Sequence, residues 1–380
     1  MNARCDGSRL WRLPFTDVWD VTIGQRVVDS GAFVSENIDL SGLTTLRVGG
    51  PARLLAECPT TQSLVDVVRL LDRENVPTLI LAGGSNLVIS DEGFDGVVVR
   101  VANTTVTLDT DRVVAEAGAV WDEVVGQSVA AELGGLEALS GIPGSTGATP
   151  VQNVGAYGVE VGSRLRRVQL LDRRTGEVSW VDPSTLQLGY RSSVLKHSDA
   201  ALVLAVELDA TTDGLSAPLA YRELFTALDA QEGDRLPSSQ VREAVLGLRA
   251  GKAMVLDPYD HDTWSAGSFF TNPVVPEDRL PAVLSAITTQ LGDVTVPQYP
   301  GVGGTKLSAG WLIERAGFSK GYPGEDAPAR LSTRHTLALT NRGDAKCSDI
   351  VALARTVRDG VDAVFGVRLE PEPVTVGCRI

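Results

Sequence analysis

Residues 140–158 read SGIPGSTGATPVQNVGAYG, the stretch on which assignment of the fold depends. Two shorter glycine-rich segments precede it, RVGGPA at residues 47–52 and LAGGSN at residues 81–86. Glycine lets the backbone approach a ligand closely and supplies conformations with positive φ. Successive exposed N–H groups in such loops form anion-binding concavities. Taken singly, each loop is better explained as an ordinary tight turn, whereas all three together predict a cradle for a pyrophosphate.

The standard nucleotide fingerprints are absent from the chain. No GxGxxG follows a strand with an acidic residue downstream, and no GxxxxGK[ST] occurs. The GGTK at residues 303–306 lacks the spacing of a P-loop, and Gly141, Gly144 and Gly147 lie at the wrong interval for a dinucleotide fold. A dinucleotide bound here therefore requires a non-Rossmann architecture.

Hydrophobic periodicity around these loops predicts many short strands and few helices before residue 210, an α+β pattern. Residues 1–42 show no periodicity, and we predict no structure for them. A polar stretch at residues 218–237 marks the domain boundary, and the pattern after it is α/β. The clearest helix has Ser348 as its predicted cap. Its apolar face comprises Ile350, Val351, Ala354, Val357, Val361 and Val364, and a final strand begins near Pro373.

Composition excludes several classes of protein. The 380 residues carry 34 Lys+Arg against 48 Asp+Glu, a formal net charge of −14, which argues against binding nucleic acid or an anionic membrane. No apolar run is long enough to span a bilayer and no signal peptide is evident, so we expect a cytoplasmic location. No Cys/His cluster has metal-ligand spacing, and we expect no metal and four reduced thiols. The four cysteines are Cys5, Cys58, Cys347 and Cys378, and the three histidines are His197, His261 and His335.

Eight segments, in this order between residues 44 and 374, resemble UDP-N-acetylenolpyruvoylglucosamine reductase, also called UDP-N-acetylmuramate dehydrogenase or the MurB family. They are TTLRVGGPA, LAGGSNLVISDEGFDG, SGIPGSTGATPVQNVGAYGVE, LGYRSSVLK, AGSFFTNP, KLSAGWLIERAGFSKG, HTLALTN and LEPEPV. The resemblance implies an α+β FAD-binding unit of the vanillyl-alcohol-oxidase (PCMH) type, followed by an α/β substrate-binding domain. It places the N-terminal extension at residues 1–42, the FAD-binding domain at 43–210 and the substrate-binding domain at 211–377.

The resemblance also implies the reaction. NADPH is the co-substrate, FAD is bound non-covalently, and the enol ether of UDP-N-acetylglucosamine enolpyruvate is reduced to UDP-N-acetylmuramate, a peptidoglycan precursor. No His or Cys falls in the glycine-rich loops, so no covalent flavin link is expected. The implied flavin-binding residues are Gly49, Gly50, Gly83, Gly84, Ser85, Asn86, Gly144, Ser145, Gly155, Ala156, Tyr157 and Gly158.

Three residues match the family's catalytic positions. Arg191 corresponds to the arginine that binds the substrate carboxylate, a role suited to a permanent cation. Ser268 corresponds to the serine that protonates the intermediate. Glu372 corresponds to the catalytic carboxylate, which could donate a hydrogen bond to an enolate if it were protonated. Without the motif, Glu370 would be an equally good choice.

Five further residues are implied to bind substrate or co-substrate, although Thr271 stands where the family often has lysine. They are Tyr190, Tyr221, Lys252, Asn272 and Lys306. Since FAD, NADPH and the UDP-sugar are all anions, the net negative charge requires their recognition to be local. Two alternatives remain open at this stage, another flavin-dependent oxidoreductase on the same scaffold and a catalytically silent flavin-binding protein.

Overall fold

A computed structural model describes residues 17–380. The first sixteen residues of the predicted extension, including Cys5, lie outside the described part. The helices are α1 (Asp17–Asp29), α2 (Thr61–Arg73), α3 (Trp121–Ala130), α4 (Arg222–Ala227), α5 (Ser238–Gly251), α6 (Leu280–Leu291), α7 (Ala309–Arg315) and α8 (Cys347–Phe365). None of these helices is long and apolar enough to cross a membrane.

The strands are short, as the sequence pattern predicted. They are β1 (Phe33–Asp39), β2 (Pro51–Cys58), β3 (Thr78–Leu81), β4 (Leu87–Ile89), β5 (Phe94–Val101), β6 (Val106–Asp109), β7 (Arg112–Glu116), β8 (Gly155–Ala156), β9 (Val159–Glu160), β10 (Leu165–Asp172), β11 (Val178–Val181), β12 (Ala201–Asp209), β13 (Val274–Val275), β14 (Gln298–Gly301), β15 (Gly304–Leu307), β16 (Ala329–Leu331), β17 (Leu339–Asn341) and β18 (Val374–Val376).

Two sheets build the first part of the molecule. One has the order β1-β2-β5-β3, in which β2 and β3 run parallel to β5 and β1 runs antiparallel to β2. The other has the order β11-β10-β12-β7-β6 and is antiparallel throughout. Helix α2 buries Leu64, Val67, Val68 and Leu71 against the first sheet, because these side chains recur at helical spacing.

The C-terminal part is organised around helix α8. Its apolar face is buried in the core, as the periodicity predicted, and packs with Phe269, Phe270 and Leu312. The adjoining sheet has the order β13-β15-β14 and is antiparallel. The predicted Ser348 cap is wrong, because the helix begins at Cys347. The N–H groups of Cys347 and Ser348 instead donate to the two carboxylate oxygens of Asp91, at 2.7 and 3.0 Å.

The two parts are tied together by their strands. The last strand, β18, runs parallel to β4, which directly follows the LAGGSN loop. The N–H of Val374, which lies two residues after Glu372, donates to the carbonyl of Asn86 at 2.9 Å. The C-terminal end of the chain therefore lies against one of the glycine-rich loops.

Several elements were not expected from the sequence. Residues within 1–42 were predicted to have no structure, yet α1 and β1 form there, and β1 pairs with β2 along its length. β1 lies at the edge of its sheet and has no buried residue, so it carries no hydrophobic alternation to reveal it. Helix α6 was missed although its apolar residues do recur at helical spacing.

Candidate active site

Two of the glycine-rich loops meet directly, backbone against backbone. A Cβ atom on Gly83 would lie 2.6 Å from the Cα of Gly144 and 3.0 Å from the backbone nitrogen of Ser145. A Cβ on Gly144, whose φ is +114°, would lie 2.5 Å from the hydroxyl oxygen of Ser85. Real Cβ atoms do not approach other atoms so closely, so a side chain at Gly83 would force the loops apart.

Ser145 occupies this junction and has an unsatisfied hydroxyl. The residue is 4% exposed, and its Oγ has no hydrogen-bond partner among residues 17–380. A buried polar group without a partner costs about 1–3 kcal/mol. A ligand with phosphate oxygens would supply the missing acceptor, and the neighbouring glycines leave backbone accessible to it. The residues at the junction therefore fit the pyrophosphate of a dinucleotide such as FAD.

Gly84, Ser85 and Asn86 extend this loop. Gly84 has a φ of +59° and packs against the carbonyl of Leu43, so its conformation and its contacts both exclude a side chain. The Asn86 side-chain amide donates to the Gln152 side chain at 3.0 Å and to the carbonyl of Glu372 at 3.4 Å. Asn86 thus connects the LAGGSN loop to residues 140–158 and to the segment that carries Glu372.

Gly49 and Gly50 are glycines for a different reason. A Cβ on Gly50 would lie 2.0 Å from the carbonyl oxygen of Asp91, and one on Gly49 would lie 3.1 Å from the Cβ of Ile89. Packing against the β4 segment accounts for both glycines without a ligand.

Gly155, Ala156, Tyr157 and Gly158 form a tight hairpin with β9. Tyr157 and Gly158 both have positive φ, 49° and 85°. The ring of Tyr157 meets the ring of Tyr221 edge to face, with centroids 5.5 Å apart, and burial raises the pKa of Tyr157 to about 12. The third glycine-rich segment therefore contacts the segment that precedes α4.

Arg191 and Glu372 form a close, largely buried ion pair. Arg191 Nε lies 3.3 Å from Glu372 Oε1, and the two side chains are 23% and 13% exposed. Arg191 sits in a tight turn with a φ of +51°, and its Nη2 donates to the carbonyl of Gly155 at 2.9 Å. The guanidinium is thereby fixed between the hairpin of residues 155–158 and the carboxyl group.

Burial raises the pKa of Glu372, while the charges of Arg191 and Lys196 oppose that rise. Lys196 was not selected from the sequence, although it ends the LGYRSSVLK motif. Its Nζ donates to the carbonyl of Arg191 at 3.0 Å, and burial lowers the pKa of Lys196. Two cations thus surround one carboxyl group in a partly dry pocket. Glu370, the alternative carboxylate, is exposed.

Backbone contacts hold the segment that contains Ser268 next to the segment that contains Glu372. The carbonyl of Phe269 accepts a hydrogen bond from the N–H of Glu372 at 2.9 Å, and Phe270 forms a β-bridge with Pro371. The AGSFF segment and the LEPEPV segment therefore run side by side. The structure brings Arg191, Ser268 and Glu372 into one neighbourhood, although they lie in widely separated motifs.

Three of the predicted substrate-binding residues join the same cluster. Lys306 Nζ lies 4.8 Å from the centroid of the Tyr190 ring, and Arg191 Cζ lies 5.3 Å from it. The Asn272 side chain lies near the Tyr190 hydroxyl, and its Oδ1 accepts from the N–H of Ala309 at 2.9 Å. Tyr190 is 46% exposed, so this side of the cluster is open to solvent.

Tyr221 and Lys252 lie together in a second group around α4. Lys252 Nζ is 2.5 Å from a carboxylate oxygen of Glu223, so this cation already has a partner. His335 is close to Lys252, and burial together with the nearby Lys252, Lys320 and Arg249 charges lowers its pKa to about 4. Neither Arg249 nor His335 was selected from the sequence as a binding residue, because Arg249 lies outside the quoted motifs and His335 was considered only as a metal ligand.

Comparison with protein families gives two separate matches, one in each part of the chain. Residues 52–182 match a profile described as an FAD binding domain, and residues 257–376 match one described as the UDP-N-acetylenolpyruvoylglucosamine reductase C-terminal domain. The first match covers the LAGGSN loop and residues 140–158. The second covers Ser268 and Glu372.

Similar full-length proteins are also known. The chain is 69% identical over 351 residues to a UDP-N-acetylenolpyruvoylglucosamine reductase of Nocardia farcinica, with 92% of each chain covered. It is 58% identical over 353 residues to the protein of the same name from Mycolicibacterium smegmatis, covering 92% of this chain and 97% of that one.

A solved structure is similar as well, that of UDP-N-acetylenolpyruvylglucosamine reductase (MurB) from Thermus caldophilus. The identity is 26% and the TM-score is 0.61, with 91% of this chain and 98% of that chain covered. The resemblance thus extends over both parts of the molecule.

Proposed function

The chain belongs to the UDP-N-acetylenolpyruvoylglucosamine reductase family, and from this we infer that it reduces UDP-N-acetylglucosamine enolpyruvate to UDP-N-acetylmuramate. It is an FAD-dependent oxidoreductase that uses NADPH and acts in peptidoglycan precursor synthesis. The observation that carries this inference is the buried Arg191–Glu372 pair beside the Ser268 loop, a constellation suited to reducing an unsaturated carboxylate.

FAD, when bound, supplies the hydride chemistry that connects NADPH to the substrate. We propose that Gly83, Gly84, Ser85, Asn86, Gly144 and Ser145 hold its pyrophosphate, with the hairpin of Gly155, Ala156, Tyr157 and Gly158 beside it. The backbone contact between Gly83 and Gly144 and the unpaired Ser145 hydroxyl support this assignment. Gly49 and Gly50 would contribute through the packing that shapes the neighbouring loop.

The reaction requires stabilisation of negative charge. Hydride adds to one vinyl carbon of the substrate, and the electron pair of the double bond moves onto the adjacent carbon and its carboxylate as an enolate. We propose that Arg191 binds that carboxylate, since a guanidinium offers two parallel donors. Burial raises the pKa of the Glu372 carboxyl, and in its protonated form this group would donate a hydrogen bond to the enolate. Charge stabilisation of this kind is a large part of most enzymatic catalysis.

The enolate must then be protonated on carbon. Ser268 is proposed as the donor, because the backbone pairing of its loop with residues 370–372 holds it next to Glu372. Its hydroxyl forms no hydrogen bond with another of residues 17–380 and is therefore available to substrate. A new C–H bond forms as the O–H bond of Ser268 breaks, and the serine oxygen regains a proton from solvent.

The remaining residues would bind the nucleotide part of the substrates. Tyr190, Asn272 and Lys306 form one face of the Arg191 pocket. Tyr221 and Lys252 lie beside the Tyr157 hairpin and are proposed to contact the nucleotide. For Lys252 to bind a phosphate, Glu223 must move or share it.

We also propose that residues 43–210 bind FAD and that residues 211–377 bind the UDP-sugar. The extents of the two family matches support this assignment. Residues 33–42 would belong to the first part, because β1 pairs with β2. We further propose that the protein acts in the cytoplasm without a nucleic-acid or membrane partner, since its co-substrates are nucleotides and its net charge is −14.

A colour change tests the function. The purified protein is expected to be yellow, to bleach with NADPH and to recover its colour anaerobically when UDP-N-acetylglucosamine enolpyruvate is added. Failure of the last step would contradict the proposed function. Bleaching by an alcohol without NADPH would support another flavin oxidoreductase, and a colourless protein that rejects added FAD would support neither enzyme.

A further inference from the structure

Thr45 is a buried residue that contacts both halves of the proposed active site. It is 7% exposed. Its N–H donates to the carbonyl of Gly84 at 3.2 Å, and its hydroxyl donates to the carbonyl of Ser265 at 2.7 Å. One residue therefore joins the loop proposed to hold FAD with the segment that leads to Ser268.

The connection continues from Ser265 to the proposed proton donor. The hydroxyl of Ser265 accepts from the N–H of Gly267 at 3.2 Å, and Gly267 takes a φ of +73° immediately before Ser268. On the other side of Ser268, the carbonyl of Phe269 accepts from the N–H of Glu372. The Ser268 backbone is thus anchored on one side to Glu372 and on the other, through Ser265 and Thr45, to Gly84.

We propose that Thr45 is a positioning residue, whose hydroxyl fixes the placement of Ser268 relative to the flavin-binding loop. The proposal rests on the proposed function, which gives Gly84 and Ser268 their roles. Proton transfer requires heavy atoms within about 2.6–3.2 Å, so a small displacement of the Ser268 loop is costly to that step. NADPH does not depend on Ser268 to deliver hydride, so the first half-reaction is insensitive to the same displacement.

The fold tolerates the loss of this hydroxyl because a second connection runs alongside it. The side-chain amide of Asn341 donates to the carbonyls of Leu46 and Arg47 at 3.2 and 2.9 Å. The N–H of Asn341 donates to the carbonyl of Trp264 at 3.0 Å. Asn341 keeps residues 46–47 and 264 together when Thr45 is altered, so the effect of Thr45 is confined to the placement of its neighbours.

The test compares Thr45→Val, which has the same shape without the hydroxyl, with Thr45→Ser, which keeps the hydroxyl. Anaerobic stopped-flow absorbance measures the two half-reactions separately. Thr45→Val is expected to be reduced by NADPH within about twofold of the wild-type rate and to be reoxidised by substrate at least tenfold more slowly. Thr45→Ser is expected to restore the second rate to within about threefold.

A second measurement does not depend on activity. Hydrogen exchange of the peptide that contains residues 265–270, followed by mass spectrometry without FAD or substrate, is expected to be faster in Thr45→Val and unchanged in Thr45→Ser. Ser265→Ala removes the next hydrogen bond along the connection and is expected to show the same selective loss. If Thr45→Val does not fold, the same measurements on Ser265→Ala and Thr45→Ser test the proposal.

Equal slowing of both half-reactions, or a wild-type second half-reaction in Thr45→Val with unchanged exchange, would overturn the proposal. Failure of the proposed function looks different, because the wild-type protein itself would then not be reoxidised by substrate. The hydrogen-exchange comparison still reports on the Thr45 connection in that case.

Discussion

The guanidinium Nε of Arg191 lies 3.3 Å from a carboxylate oxygen of Glu372, and the pair is shielded from solvent on most sides. The arrangement has two consequences. Removing Glu372 would leave the Arg191 guanidinium without its carboxylate, and removing Arg191 would leave Lys196 as the remaining cation that acts on Glu372. Breaking a buried pair in this way is more damaging than the pair is stabilising. The same burial also raises the pKa of the carboxyl, so that its protonation state responds to its neighbours.

Ser268→Ala is expected to leave flavin reduction by NADPH intact and to slow reoxidation by substrate by about 10²–10⁴-fold, the usual contribution of a positioned proton donor. Stopped-flow traces at the flavin absorbance maximum give both rates. Ser179→Ala, in the exposed part of strand β11, is the matched control and should match the wild type in both. Wild-type turnover in Ser268→Ala would remove this residue from its role.

Glu372→Gln should change the pH dependence of the second half-reaction as well as its rate. A raised pKa means that the carboxyl keeps its proton to a higher pH than an exposed glutamate does. The wild-type rate is therefore expected to fall as pH rises through that pKa, because the donor is lost. Glutamine cannot ionise, so Glu372→Gln should be slower than the wild type. Its single-turnover rate should also lack the fall at high pH, which is the basic limb of the pH profile. A limb that persists unchanged in the variant would assign the titration to another group.

Lys196→Met is expected to move the same limb to higher pH. The lysine charge lowers the pKa of Glu372, so its removal lets burial raise that pKa further. Lys196→Arg keeps the charge and should leave the limb in place. The groups whose charges act on this carboxyl are Arg191 and Lys196. A limb that does not move in Lys196→Met, or that moves equally in both variants, would contradict this electrostatic assignment.

Gly83→Ala is expected to weaken FAD binding at least tenfold, because the new methyl group would lie 2.6 Å from the Cα of Gly144 and neither backbone can yield locally. Flavin content after purification and the Kd for added FAD measure the effect. Gly247→Ala is the control, since Gly247 lies in helix α5 and a methyl group there would meet no atom within 4 Å beyond the backbone of its own helix. Wild-type FAD affinity in Gly83→Ala would show that the loops can separate without loss of the site.

His335 should make the protein less stable in mild acid. Its pKa is about 4 in the folded chain and about 6.5 when unfolded, so between these values the unfolded chain binds more protons. Stability is fully present above pH ~6.5 and falls by up to about 3 kcal/mol as pH decreases to ~4. His335→Asn should flatten that part of the stability curve in denaturant titrations, whereas His197→Asn, at an exposed histidine, should not. Parallel curves for the wild type and His335→Asn would contradict this account.

Sequence reasoning recovered the elements whose signal is local. The buried faces of α2 and α8 follow from apolar residues at helical spacing, and β12 follows from its run of buried aliphatic residues. Helix α6 carries the same kind of signal in Val283 and Ile287 and was overlooked. Strand β1 had no signal to find, because its stability comes from pairing with β2 and not from a buried face.

The site was predictable only in part, for a physical reason. Motifs identified Arg191, Ser268 and Glu372 separately, but their proximity depends on tertiary contacts. Lys196 and Thr45 act through hydrogen bonds to backbone carbonyls, which any donor of suitable length could make. Asp91 caps α8 from a distant part of the chain, so the local sequence pointed to Ser348 instead. Residue type alone does not reveal such contacts.

The pairing of β18 with β4 bears on how the protein is made. Domains generally fold as the chain emerges from the ribosome, beginning with the N-terminal one. Strand β4 is therefore synthesised long before its partner, because Val374 follows Ile89 by 285 residues in the sequence. The contacts of Asn86 with the segment that carries Glu372 can form only once residues 372–374 have been synthesised. A nascent chain that lacks this segment would consequently hold the flavin-binding loops without the proposed catalytic carboxyl.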